Sequence, residues 1–246
     1  MKKEVFKMID KRKKYIMVID IETTNGLTDM LAYDIGFIVA DLHNNIYEKR
    51  SYMVAELFCD ERYKYLLDTA YYKNKLPSYW EEYKEGNRQI KTILSIKREI
   101  KELFAQYGIK EVYAYNCYFD KVGSNKTLRY FTKSNSRWLF PRETEFYCIW
   151  HIACQTIFKQ KTFEKLALLN NWISDSGNVK TSAEIAEKYI THNYDFEEEH
   201  KGLDDVLIEY EILLKCLRQH KSIDKSINRL CWRIPQKAIY KEHIKQ

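Results

Sequence analysis

The stretch Val18-Ile19-Asp20-Ile21-Glu22-Thr23-Thr24-Asn25 decides how the rest of the chain is read. It continues the apolar run Tyr15-Ile16-Met17-Val18-Ile19 and puts two carboxylates, Asp20 and Glu22, at its far end. A short apolar run of this kind reads as a strand buried on both faces. Side chains alternate across a strand, so Asp20 and Glu22 point the same way, roughly 6.5 to 7 Å apart. Burying one unpaired carboxylate is costly, and burying two close together costs more. The spacing is too long for a shared proton but suits ligands around hard cations such as Mg²⁺ or Mn²⁺, whose charge removes the repulsion. Alone, the pattern also has a plainer reading, a strand end emerging into water.

Downstream, Leu31 to Ala40 and Ile46 to Val54 read as strands joined by a turn at His43-Asn44-Asn45, so residues 31–54 form an antiparallel hairpin. Pro77 interrupts a mixed stretch from Tyr63 to Tyr83 that holds short helices. Ile90, Ile93, Leu94, Ile96, Ile100, Leu103 and Phe104 give Arg88 to Tyr107 a helical period, ended by Gly108. Glu111 to Asn116 reads as a strand. Phe119–Phe131, Glu145–Phe158, Thr162–Asn170, Ser182–His192 and Gly202–Leu217 read as helices. In the last of these, Leu203, Val206, Leu207, Tyr210, Leu214 and Leu217 mark an apolar stripe, with Asp205 nearly opposite it. Strand, hairpin, helix, strand, helices is the order of a mixed sheet covered by helices.

Two further segments carry acids next to element boundaries. Asn116-Cys117-Tyr118-Phe119-Asp120 joins a strand to a helix, and Glu199-His200-Lys201-Gly202-Leu203-Asp204-Asp205 precedes the last helix. Either set has an ordinary role, since carboxylates favour the positive end of a helix.

Taken together, D-x-E, then N-x-x-F-D, then H-x-(small)-x-x-D resembles the three motifs of the DEDDh, or DnaQ-like, 3′–5′ exonucleases, over residues 15–218. Gly202 stands where that family usually has alanine. Phe163-Glu164-Lys165-Leu166-Ala167 and Thr181-Ser182-Ala183-Glu184 are similar to stretches of stand-alone, often phage-borne, members. The resemblance implies a ribonuclease H-like fold with a mixed five-stranded sheet and flanking helices. It implies Asp20, Glu22, Asp120 and Asp205 as ligands of two divalent metal ions, Mg²⁺ or Mn²⁺, and His200 as general base. The choice of Asp205 over Asp204 rests on the family spacing. His200 stands five residues before Asp205, and Lys201 occupies the place of the tyrosine found in the sister branch, so the histidine branch is the better match. Thr23, Thr24 and Asn116 are implied substrate contacts, although a simple strand exit explains the threonines equally well. The implied chemistry is two-metal phosphodiester hydrolysis releasing nucleoside monophosphates, with a histidine whose ordinary pKa of about 6.5 suits proton transfer near neutrality. Digestion from the 3′ end comes from the resemblance only.

The remaining sequence bounds this reading. At 246 residues, the length suits one sizeable domain, expected here as a basic N-terminal arm (1–14), the exonuclease domain (15–218) and a basic C-terminal tail (219–246). No apolar run has the length of a membrane helix, and residues 1–14 lack the apolar core of a secretory signal. A cytoplasmic place is expected, that of the host if the chain is phage-encoded. The six cysteines then read as reduced thiols. A net charge of +6, concentrated at both ends, fits a nucleic-acid partner without demanding one. The partner expected is DNA in preference to RNA, at single-stranded 3′ ends. No polymerase segment is recognisable, so proofreading would need a separate protein. Tyrosines and lysines between residues 61 and 84 suit stacking on single strands, or simply a tyrosine-rich surface. Two rival readings stand: a catalytically inactive nucleic-acid-binding protein on a nuclease-derived fold, and a zinc module on Cys148, His151 and Cys154, for which a fourth ligand is not visible.

Overall fold

The apolar run becomes β1 (Ile16–Thr24), the centre of the molecule. In this computed structural model residues 9–24, 30–132 and 137–236 are described; Asn25 and the lysines expected at the extreme ends, among them Lys2, Lys7, Lys241 and Lys245, lie outside them. β2 (Leu31–Ala40) and β3 (Ile46–Val54) form the expected antiparallel hairpin. Its turn is held by Asp41, whose Oδ1 accepts from the backbone N–H groups of His43 and Asn45. A short helix α1 (Ala55–Phe58), two 3₁₀ turns and α2 (Leu76–Glu85) follow. Pro77 sits in the first turn of α2, where its missing N–H does no harm.

Here the structure departs from the periodicity. Residues 89–91 are a strand, β4 (Gln89–Lys91), parallel to β3, and the helix α3 (Ile93–Tyr107) begins only after Thr92 caps it. After β5 (Glu111–Ala114) comes α4 (Cys117–Phe131). Glu145 to Cys148, expected as the start of a helix, is β6, paired in parallel with β5; only Ile149–Gln155 is helical (α5). The chain closes with α6 (Lys161–Leu169), α7 (Ala183–Thr191) and α8 (Gly202–Leu217). The sheet order is β4-β3-β2-β1-β5-β6. The expected class, a ribonuclease H-like mixed sheet with flanking helices, is the one observed, with six strands instead of five. The residue pattern gave four of these strands, and the two it missed, β4 and β6, are both edges, only three and four residues long. Edge strands that short draw their stability from the neighbour they pair with and leave little local pattern.

Alternation along β1 builds two cores. Ile16 and Val18 pack under α5, α7 and α8, while Met17, Ile19 and Ile21 face α3 and α4. Asp20 and Glu22 continue the face of Ile16 and Val18, the face covered by α8. The approach of α8 to the sheet is set by glycines on both sides: a Cβ on Gly36 of β2 would lie 2.1 Å from the Gly202 carbonyl carbon. A third apolar cluster joins β2 and β3 to α1 and α2 through Tyr33, Met53, Phe58 and Tyr79.

The ends of the described chain are also anchored. Lys13 Nζ donates to Tyr47 Oη at 2.8 Å. Within the stretch expected as a tail, Cys231 is fully buried and Gln236 exchanges two hydrogen bonds with the Val179 backbone, at 3.0 and 2.9 Å. No helix among the described residues is long and apolar enough to cross a membrane.

Candidate active site

Three elements deliver acids to one pocket of about 520 Å³. β1 supplies Asp20 and Glu22, the first turn of α4 supplies Asp120, and α8 supplies Asp205; His200 enters from the segment before α8. Asp120 is fixed by its carboxylate, whose Oδ1 accepts from the Ile21 backbone N–H at 3.3 Å, between the two β1 acids. Asp205 sits in the first turn of α8 facing the sheet, with its backbone N–H bonded to the Lys201 carbonyl at 3.0 Å. The N-terminus of α8 is clamped by Asp34 of β2, which accepts from Gly202 N–H and from Tyr79 Oη, both at 2.9 Å. Asp34 is in turn paired with the buried Arg88, whose guanidinium lies 4.0 Å above the Tyr79 ring.

His200 adopts φ +52°, a left-handed conformation that costs a non-glycine residue about 1 kcal/mol or more. Its ring lies flat against Tyr72, with centroids 3.9 Å apart and planes 9° from parallel. One ligand atom each from Glu22, His200 and Asp205 lies within 4.8 Å of the other two.

The electrostatics are those of buried, crowded acids. Burial first, then the neighbouring Asp205, pushes Glu22 up to about 9. Burial lifts Asp120 to about 8, and burial with Glu198 nearby lifts Asp205 to about 8. Asp20 is raised well above the usual carboxylate range by burial, then by Glu209 and Asp120. Burial and Lys75 hold His200 below the ordinary imidazole value. Among the described residues, Asp20 Oδ2 and Asp205 Oδ1 are buried with no hydrogen-bond partner. An orphaned buried carboxylate oxygen costs free energy that a hard cation recovers, so the residues present fit a divalent metal.

No protein-family model matches the chain. No curated protein matches it either. Among solved structures, three of E. coli Exonuclease I are similar. They are a complex with a dA16 oligonucleotide (13% identity, TM-score 0.46), a zinc-bound single-stranded DNA complex (14%, 0.48) and a complex with a 5cy-dA13 oligonucleotide (13%, 0.45). They cover 85%, 85% and 82% of this chain, which spans less than half of theirs: 44%, 42% and 40%.

The five motif residues thus gather at one pocket, and Asp204, the alternative to Asp205, is exposed outside it. Asp205 does not lie opposite a buried stripe. α8 is buried on most of its circumference, so leucine spacing alone misjudged its inner face. Asn116 lines the pocket and is exposed. Thr23 and Thr24 are buried and do not line it.

Of the lining residues that the motifs do not name, Glu209, Glu198 and Tyr72 bear on the chemistry of the pocket. Glu209 is buried one turn after Asp205, takes the Tyr115 backbone N–H at 3.1 Å and stands well above the usual carboxylate range through burial and Asp120. Its i, i+4 relation to Asp205 was the available signal. Glu198, lifted to about 7 by burial and Glu184, had no such mark. Tyr72 came from the tyrosine-rich stretch, whose members divide: Tyr79 is core, Tyr71 is 85% exposed, and Tyr72 covers His200. The zinc reading finds no support among the described residues. Cys148 Sγ donates to the Tyr115 carbonyl at 3.2 Å, His151 Nδ1 meets the Ser226 carbonyl at 2.8 Å, and the three side chains form no ligand cluster.

Proposed function

We propose that this chain is a metal-dependent 3′–5′ exonuclease of the DEDDh kind, hydrolysing phosphodiester bonds at nucleic-acid 3′ ends and releasing nucleoside monophosphates. The observation that carries the reading is the convergence of Glu22, His200 and Asp205 within 4.8 Å, beside the orphaned oxygens of Asp20 and Asp205. Asp20, Glu22, Asp120 and Asp205 would hold the ions, two of Mg²⁺ or Mn²⁺. When bound, such ions supply charge neutralisation at the scissile phosphate and lower the pKa of water.

The chain's own groups do the rest. His200, whose pKa is lowered by burial and by Lys75, accepts the proton of the attacking water. The Tyr72 face limits rotation of that imidazole. Glu209 fixes the β5–α4 junction through Tyr115 and so steadies Asn116 and Asp120. A groove sharing Asn116, Phe119 and Trp150 with the pocket leads away from it, carrying Tyr118, Lys126 and Arg229. Aromatic faces beside cations suit stacked bases and phosphates of a single strand. A single-stranded DNA end is the substrate proposed.

The test is shortening of a 5′-labelled single-stranded DNA in Mg²⁺ or Mn²⁺, with RNA and duplex arms alongside. The intact protein is expected to produce a ladder from the 3′ end, and Asp20→Ala or Asp205→Ala to abolish it with the fold retained. Binding without shortening in any metal would favour the inactive nucleic-acid-binding protein.

A further inference from the structure

A second cleft, of about 730 Å³, lies between α3 and the segment 137–142 and shares no lining residue with the acidic pocket. That size falls in the range of ligand-binding cavities. Lys97 and Lys101, one turn apart on α3, form one wall; Arg137, Trp138 and Arg142 form the other. A smaller adjoining cavity repeats Trp138 and Arg142 and adds Lys121. Among the described residues, no acidic side chain lines either cavity.

The cleft is built on a firm base. Leu139 N–H donates to the Asn125 side chain at 2.8 Å, and Leu139 and Phe140 are buried, with Phe140 edge-on to Phe146 at 5.3 Å. Trp138 is nonetheless 46% exposed. A large aromatic left in water next to a buried anchor forfeits hydrophobic free energy that an occupant would restore. Burial and neighbouring Lys101 both lower the Lys97 pKa.

We propose that this cleft is a second binding site for single-stranded nucleic acid, with phosphates on Lys97, Lys101, Arg137 and Arg142 and a base stacked on Trp138. Every base offers a face to an indole, so the site is indifferent to sequence, and its cations make it salt-dependent. It lies away from the acidic pocket and stands whether or not that pocket hydrolyses its ligand.

The experiment is fluorescence anisotropy of labelled dT20 in EDTA, where no hydrolysis intervenes, with circular dichroism as the fold control. Trp138→Ala is expected to weaken binding about five- to tenfold, the loss of one stacked base. The triple variant Lys97→Ala, Lys101→Ala, Arg142→Ala is expected to lower the slope of log affinity against log salt by about 2. Affinity and slope unchanged in both folded variants, or no dT20 binding by the intact protein, overturns the site. A labelled oligo-aspartate peptide is the competing arm. Should the same substitutions weaken that peptide while leaving dT20 unaffected, the cleft belongs to a protein partner and the proposal fails. Because hydrolysis is assayed separately with metal present, failure here and failure of the nuclease reading are distinguishable.

Discussion

At the scale of single residues, what sets this molecule apart is a histidine held in place by backbone conformation and an aromatic face. His200 sits at φ +52° and stacks on Tyr72 at 3.9 Å. That arrangement removes freedom from the imidazole, so on the proposed reading less ordering is needed in the transition state. If His200 is the proton acceptor, His200→Ala should lower the hydrolysis rate by about 10² to 10⁴, while Mn²⁺ binding measured by calorimetry is largely kept. A variant whose rate matched the parent would remove His200 from the mechanism. Glu209 belongs to the same scale. It was legible only in hindsight, as an acid four residues beyond Asp205, because nothing local distinguishes an inward glutamate from a solvated one.

At the scale of elements, the critical contact is α8 on β2. Gly202 opens α8, and a Cβ built there would lie 2.8 Å from the Gly36 backbone nitrogen and 3.1 Å from the Asp20 carbonyl oxygen. Backbone atoms of a central strand cannot yield cheaply. Alanine, common at this place in the family that the motifs resemble, is therefore a misfit in this chain. Gly202→Ala should destabilise by about 1–3 kcal/mol, the usual cost of overpacking, read from urea unfolding. It should also reduce activity by pushing Asp205 away from β1; unchanged stability would mean that α8 can slide. The same helix start depends on the buried Arg88–Asp34 pair, which the strand pattern of residues 31–40 concealed. Asp34 occupies a fully buried place in a strand that reads as apolar, and its meaning appears only when Gly202 N–H and Arg88 are brought to it. β4 and β6 were hidden for a related reason: three or four residues at a sheet edge take their conformation from the strand beside them.

At the scale of the whole molecule, the acidic pocket sets the pH response. Glu22 at about 9 and Asp120 and Asp205 at about 8 keep their protons to higher pH in the folded chain than in the unfolded one, where acids titrate near 4. Folded protein therefore binds more protons across that window, and stability falls as pH rises from about 4 to about 9. In EDTA the melting temperature should drop steadily over this range, and Mg²⁺ or Mn²⁺ should raise it most at the alkaline end, where the carboxylates are free to bind. A melting temperature indifferent to pH and to metal, read by differential scanning fluorimetry, would show that these acids do not form a cation site. The basic termini and the Trp138 cleft act at this scale too, since their charges sum to a field that falls off with salt.

The amino-acid sequence by itself determined the central strand, the hairpin, most helices and the order of the motif acids, because these rest on alternation, helical period and short spacings that are local properties of the chain. It also separated Asp205 from Asp204, through resemblance rather than through the helix stripe. Only the tertiary structure decided that Asp20, Glu22, Asp120 and Asp205 face one pocket beside His200, that Glu209 and Tyr72 join them, and that Trp138 stands among cations. Those facts depend mainly on contacts between residues far apart in the chain, and such contacts exist only once the sheet has fixed which faces meet.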